Sequence, residues 1–460
     1  MIEPNPNDPT ASRQKEPPEP LLLGWNHTSE PEPEPPVGFC DLTHEEPSPF
    51  RRLKRKWACP DPESHLVTIA PTGAGKGRSA IIPTCLTWSG GLIVIDPKGE
   101  AVATTARHRR EQGHETIVID PFGITGETSD RFNPFDIFPH TDMSAEEMSL
   151  FIPSLLHPDS GLSIKSDPFW DLKGDSLIAG ICGYALTALE EEKRNIPMMR
   201  ELMMSDDPVY RLAVALDTVG KKIPPMAYQN ISAFLGTEDK CRSGILATAQ
   251  QHFEIYGDPR TAEAVSSTTF DLAAFKRGEP MTIYLVLPPS RLYTHRALLR
   301  LWIGALLAIT KSRQSKPEHK TLFIIDEAAQ LGRMNALVEA VTLLRGYGVR
   351  TWSFWQSRRQ LDQIYGADAG VILDNSGIIQ CFGFTNLEMA GSLSGLLGEG
   401  CSAQELLRLP RNKQLILTPG GRAHLLTKLD YLKDRCFSGR YDSNPIYHER
   451  GDDFGGGIAS

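Results

Sequence analysis

The apolar positions of the chain fall into short continuous runs separated by stretches with helical spacing. Leu66-Val67-Thr68-Ile69, Leu92-Ile93-Val94-Ile95-Asp96 and Thr116-Ile117-Val118-Ile119-Asp120 are such runs, with helical patterns near Lys76–Thr87 and Glu100–Gln112 between them. Runs without polar alternation, interleaved with helices, predict parallel strands buried on both faces. Two of these runs end in Asp, which places carboxylates at the sheet's carboxyl edge, where open α/β sheets bind ligands. From about residue 140 to about residue 265 the pattern is helical only, as in Phe169–Leu189 and Val209–Val219. Strand runs return at Met281–Leu287, Thr321–Ile325, Val349–Trp355 and Ile378–Phe382, with a helix over Arg296–Lys311. Gln414–Leu417 and Ala423–Thr427 flank Pro419-Gly420-Gly421 and predict a hairpin.

These elements predict an α/β fold with a mostly parallel central sheet and an inserted all-α domain. Its first part covers 51–140, the all-α domain 141–265, and its second part 266–440, followed by a flexible Gly-rich tail at 441–460. Composition adds a segment at the other end. Residues 1–50 hold ten acidic and two basic residues, and so carry −8 of the chain's net −9. With Pro31-Glu32-Pro33-Glu34-Pro35-Pro36 at its heart, this segment is expected to be a disordered acidic tail. Arg51-Arg52-Leu53-Lys54-Arg55-Lys56 then reverses the sign. Such a run suits nucleic-acid phosphates or an anionic membrane surface, and it equally suits pairing with the acidic tail.

The eight cysteines are scattered without a C-x-x-C pair, which argues against structural zinc and disulfides. No signal-peptide pattern opens the chain, and the apolar stretches fall short of the roughly 18–20 residues that span a bilayer. The expected location is therefore cytoplasmic.

The chemistry centres on Ala70-Pro71-Thr72-Gly73-Ala74-Gly75-Lys76-Gly77, between the first strand and the first helix. Glycines let backbone N–H groups approach phosphate oxygens, and a helix opening there aims its positive end at the same anion. Thr72, Gly73, Ala74, Gly75, Lys76, Gly77 and Arg78 are the candidate nucleotide contacts, with Lys76 reaching the terminal phosphates. Gly77 stands where a Ser or Thr hydroxyl ordinarily meets Mg²⁺. Further on, the strand Leu322-Phe323-Ile324-Ile325 delivers Asp326 and Glu327 at its carboxyl end. In a phosphate-loop NTPase the first acid holds Mg²⁺ and the second polarises the attacking water, which predicts ATP and Mg²⁺ as ligands.

Together with Asp96-Pro97-Lys98-Gly99-Glu100, Phe169-Trp170, Ile283–Pro289, Leu344-Arg345-Gly346-Tyr347-Gly348 and Gln356, these motifs give a resemblance. The chain resembles the type IV coupling proteins, RecA-like P-loop ATPases of conjugation and type IV secretion, from about His65 to about Arg435. The resemblance implies a homo-oligomeric ring, usually a hexamer, with nucleotide between subunits. It implies Gln356 as a γ-phosphate sensor and Arg345 as an arginine finger to the neighbouring subunit. Read without the family, Arg345 simply complements a helix dipole. Asp96 and Lys98 fall near the nucleotide without an assignable role.

The implied partners are the type IV secretion machinery, a DNA relaxase or effector protein substrate, and single- or double-stranded DNA. Family members normally begin with two transmembrane helices, so a membrane partner protein is expected here in their place, at the inner membrane. Lys173, Lys221, Lys222, Arg358 and Arg359 are candidate DNA contacts. Two alternatives remain at this point: a nucleotide-binding docking adaptor with little hydrolysis, which Gly77 favours, and a DNA translocase outside secretion, against which Asp96–Glu100 argues.

Overall fold

The computed structural model describes residues 21–31, 50–61, 63–156, 168–397 and 402–445. Eleven strands among them form one sheet: β1 (Leu22–Pro31), β2 (Phe50–Ala58), β3 (Leu66–Ile69), β4 (Leu92–Asp96), β5 (Glu115–Ile119), β6 (Met281–Val286), β7 (Thr321–Ile325), β8 (Val349–Trp355), β9 (Ile378–Cys381), β10 (Lys413–Thr418) and β11 (Arg422–Thr427). Their order is β2-β1-β11-β10-β9-β3-β8-β7-β4-β6-β5. The seven from β9 to β5 are mutually parallel, and β10, β11, β1 and β2 extend the sheet in antiparallel fashion.

Strand side chains alternate between two cores, as period-two geometry requires. Leu92 and Val94 join Leu322 and Ile324 under the helices Gly77–Thr87 and Glu100–Glu111. Ile93 and Ile95 join Phe323 and Ile325 on the opposite face, under the helix Arg296–Lys311. Both faces are thus covered, which explains why the parallel strands read as unbroken apolar runs.

Between β5 and β6 the described elements are all helical, from Pro134–His140 to Leu272–Arg277. Two contacts fix this segment. Trp170 lies against Gly244, where an added Cβ would come within 2.5 Å of the indole, so the helix Pro168–Ala188 can close onto Asp239–Gln251. The buried Arg300 donates to the carbonyls of Leu155 (2.9 Å) and Leu331 (3.2 Å), tying the segment to the turn after β7.

The N-terminal expectation needs correction. Leu22–Pro31 lies within the segment expected to be disordered, yet it forms β1, paired with β2 and with β11. Leu21, Leu22, Leu23 and Trp25 are buried, so this short apolar run is part of the core. The basic run belongs to β2, with Arg55 and Lys56 exposed. The tail expected to be flexible from residue 441 is packed at its start, where Tyr441 lies against Tyr431 and the Asp442 N–H donates to the Thr104 carbonyl (3.0 Å). The Pro-Glu stretch from residue 32 and the tail from residue 446 lie outside the described residues.

Candidate functional site

The order β3-β8-β7 sets the site. It brings the carboxyl ends of three adjacent strands to one edge: the loop after β3, Gln356 after β8, and Asp326-Glu327 after β7. Gly73 and Gly75 have φ of 78° and 94°, conformations that a Cβ would strain, so the loop needs glycine at both. Ala70 N–H donates to the Trp355 carbonyl (2.9 Å), which anchors the loop to β8. The helix then opens at Gly77 with a π-wound turn, the Ile82 N–H donating to the Gly77 carbonyl. No acidic residue lies within that turn itself, so its positive end faces the cleft without a carboxylate of its own.

A cleft of about 520 Å³ lies at this edge. Thr72, Gly73, Gly75, Lys76, Gly77, Arg78, Asp326, Glu327 and Gln356 all line it. Ala74 does not; its carbonyl accepts from Lys428 Nζ (2.8 Å). Glu327 is the hub. Its Oε1 accepts from Lys76 Nζ and its Oε2 from Gln356 Nε2, both at 2.9 Å. Its φ of 49° makes it the one non-glycine residue of positive φ among the described residues. That strained backbone turns the carboxylate back over the phosphate loop, the kind of cost that functional sites retain.

Asp326 sits beside this hub with Oδ1 accepting the Glu327 N–H (3.0 Å). Burial, reinforced by the Glu327 charge and opposed by Lys76, pushes its carboxyl up to about 6. Among the described residues no cation is salt-bridged to it, and no cluster of three His, Cys, Asp or Glu forms a metal cage. A lone strand-end carboxylate is nonetheless how Mg²⁺ is held when substrate phosphates and water supply the remaining ligands, so the residues present fit that ion. Gly77 offers it no hydroxyl, and Ser79, buried in the helix, is not part of the cleft lining.

Asp96 has a local structural task. Its Oδ2 accepts the Val102 N–H (2.9 Å) and its Oδ1 the Lys98 N–H (3.4 Å), capping the helix Glu100–Glu111. Burial pushes this carboxyl up to about 6 as well. Lys98 reaches Glu100 at 3.5 Å on the cleft wall.

Arg345 is not in the cleft. It precedes β8 while Gln356 follows it, so the strand's seven residues separate them by about 20 Å. At that far edge its guanidinium is exposed and pairs with Asp61 (2.7 Å) and Glu63 (3.7 Å). The neighbouring Gly348, at φ 73°, turns the chain into β8 against Pro317. The candidate DNA contacts divide. Lys173, Lys221 and Lys222 are exposed on the helical segment, whereas Arg358 faces Asp362 (3.7 Å) and Arg359 faces Glu388 (3.2 Å).

Residues 40–404 match the family model described as type IV secretory system conjugative DNA transfer. The chain belongs to this family. Among its relatives are a conjugal transfer protein TraG of Agrobacterium fabrum, 29% identical over 66% of this chain and 46% of that protein. Another is the type IV secretion system-coupling protein VirD4 of Bartonella quintana, 25% identical over 73% of this chain and 53% of that protein. The chain thus spans about half the length of the curated relatives it matches. The plasmid coupling protein TrwB, solved in complex with ADP and Mg²⁺, superposes with a TM-score of 0.61 at 16% identity, covering 80% of this chain and 85% of TrwB. The fold of this family member is accordingly the RecA-like P-loop architecture expected from its sequence. Among the described residues no helix is long and apolar enough to cross a membrane.

Sequence reasoning missed the contribution of the C-terminal segment. Arg78 makes a two-pronged pair with Asp430 (2.7 Å each), and Lys428 holds the Ala74 carbonyl. No motif marks Lys428 or Asp430, since only the sheet topology brings them to the loop. Tyr293 and Gln330 also line the cleft without a sequence signal.

Proposed function

We propose that this chain is a coupling-type ATPase that binds ATP with Mg²⁺ in the cleft and hydrolyses it between subunits of a ring. The work done would be recruitment of a DNA-relaxase or protein substrate, with DNA where it is the cargo, to a type IV secretion channel. A membrane partner protein would hold the ring at the inner membrane. The observation that carries the reading is Glu327 bridged between Lys76 and Gln356 beside Asp326, at the mouth of a glycine loop, in a chain of this family. The complex of TrwB with ADP and Mg²⁺ supports the choice of ligands.

Each residue then has a task. The Gly73–Gly77 backbone and the helix N-terminus cradle phosphate oxygens. Lys76 leaves Glu327 for the more strongly charged terminal phosphates, which frees the Glu327 carboxylate to accept a proton from water. Gln356, already bonded to Glu327, registers whether that carboxylate is engaged. Asp326 would hold Mg²⁺, which when bound would supply positive charge against the phosphoryl group. Arg345 of an adjacent subunit completes the site, exchanging Asp61 and Glu63 for the developing phosphoryl charge.

Gly77 favours a second reading, a nucleotide-binding docking adaptor with little turnover. ATP turnover, with and without single-stranded DNA, decides between them. For the ATPase, Glu327→Gln is expected to lose about 10²–10⁴-fold in rate while retaining nucleotide binding. Arg345→Ala is expected to lose on the order of 10³-fold or more. Tight nucleotide binding without turnover, equal in wild type and both variants, would leave the adaptor standing.

A further inference from the structure

Lys428 follows β11, and its Nζ reaches back to the phosphate loop, donating to the Ala74 carbonyl at 2.8 Å. The same ammonium lies 4.8 Å from the centre of the Phe382 ring. Among the described residues no carboxylate is within salt-bridge distance of it, and the charged groups around it are Arg78 and Asp430. Burial and the Arg78 charge lower its affinity for a proton, so the site holds a cation at some cost. That cost has a rationale if an anion arrives. A Cβ placed on Gly75 would lie 3.7 Å from Lys428 Nζ, so the ammonium backs directly onto the loop.

The geometry also orients the loop. In a trans peptide the C=O and N–H point in opposite directions, and no cis bond occurs among the described residues. Drawing the Ala74 carbonyl out toward Lys428 therefore turns the Gly75 N–H to the opposite side. Gly383 packs against the same residue, where an added Cβ would come within 2.5 Å of Ala74 Cβ, and the Arg78–Asp430 pair holds the helix turn that follows.

We propose that Lys428 is a positioning residue of the phosphate site: from behind the loop it fixes the Ala74–Gly75 peptide so that its N–H faces the phosphates. This inference rests on the nucleotide-binding reading of the cleft but not on hydrolysis. The test is a titration of the full chain with a fluorescent ATP analogue, displaced by inorganic tripolyphosphate, alongside steady-state turnover. Lys428→Met is expected to weaken ATP and tripolyphosphate by about tenfold, and to raise KM with kcat little changed. Lys428→Arg, which keeps the charge and a donor, is expected to recover most of the loss. A purely structural lysine would lower thermal stability in Lys428→Met but leave tripolyphosphate affinity at the wild-type value, and that result overturns the inference. Wild type that binds tripolyphosphate in a Lys428-dependent way without turning over ATP would overturn the hydrolysis reading and leave this one intact.

Discussion

At Gly77 the chain lacks one hydroxyl, and the structure shows there is room for it. A Cβ at this position would meet Glu100 Oε2 at 3.5 Å, an ordinary contact, and Gly77 does not need positive φ. Gly77→Ser is therefore expected to fold normally and to lower the Mg²⁺ concentration giving half-maximal turnover, by about threefold to tenfold if the added ligand is worth one ordinary hydrogen bond. An unchanged Mg²⁺ dependence would mean that the ion is held wholly by other ligands. A second residue-scale consequence concerns His65. Its Nδ1 accepts the Thr351 N–H at 3.0 Å, and burial, with Arg350 nearby, pushes its pKa down to about 4. Unfolded, it would titrate near its ordinary 6.5. The unfolded chain thus binds the extra proton first, and stability is full above about pH 6.5 and falls toward pH 4. The loss at pH 5 is on the order of 2 kcal/mol from this residue alone. Denaturant titrations of wild type and His65→Gln should converge as pH falls from 7 to 5, and parallel curves would remove His65 as the cause.

Between elements, the ribbon of β1 and β2 is joined to the phosphate site through the C-terminal segment. Trp25 pairs with Thr427, its Nε1 donates to Asp434 Oδ2 (2.7 Å), Asp434 accepts the Asp430 N–H (2.9 Å), and Asp430 holds Arg78. Trp25→Phe keeps an aromatic ring but loses part of the buried indole and one charge-assisted bond, so it should cost at least about 1.5–3 kcal/mol. It should also speed limited proteolysis within residues 21–58, and a wild-type cleavage rate would show that Asp434 does not secure the ribbon. This is where the sequence was hardest to read. The core strands were legible because each is a continuous apolar run of strand length, so β3, β4, β7 and β8 match their expected bounds. β1 was not. Leu21-Leu22-Leu23-Gly24-Trp25 is a brief apolar run inside a Pro- and Glu-rich segment, and a two-stranded ribbon alone is marginal in water. Its strand identity comes from β11, some 400 residues away. The cleft divides along the same line. Lys76 follows a glycine loop and Asp326, Glu327 and Gln356 sit at strand ends, so all four were legible by position, whereas Lys428 and Asp430 act only through tertiary placement.

At the scale of the whole molecule, the two halves of the proposed site lie on opposite edges of one sheet. Lys76, Glu327 and Gln356 occupy the carboxyl edge, and Arg345 the amino edge, about 20 Å away along β8. No rotamer of Arg345 spans that distance, so any contact it makes with nucleotide must be in a neighbouring copy. Head-to-tail association of this kind closes into a ring when its rotation permits. The pairs holding Arg345 to Asp61 and Glu63 are exposed, each worth about 0–1 kcal/mol, so releasing the guanidinium costs little. Two inactive variants then become complementary. A subunit carrying Arg345→Ala retains Glu327, and one carrying Glu327→Gln retains Arg345. Mixed in equal amounts and allowed to assemble at random, they regenerate a complete site at about a quarter of the interfaces. Turnover of the mixture should therefore rise to roughly that fraction of wild type, while either variant alone stays near background. Recovery requires subunit exchange, which pre-mixing under dissociating salt and following the return of turnover with time would establish. A mixture that exchanges subunits and still shows no more activity than its components would place Arg345 outside catalysis. The arginine would then be what its local setting alone implies, a charge at the end of a helical turn held by Asp61 and Glu63.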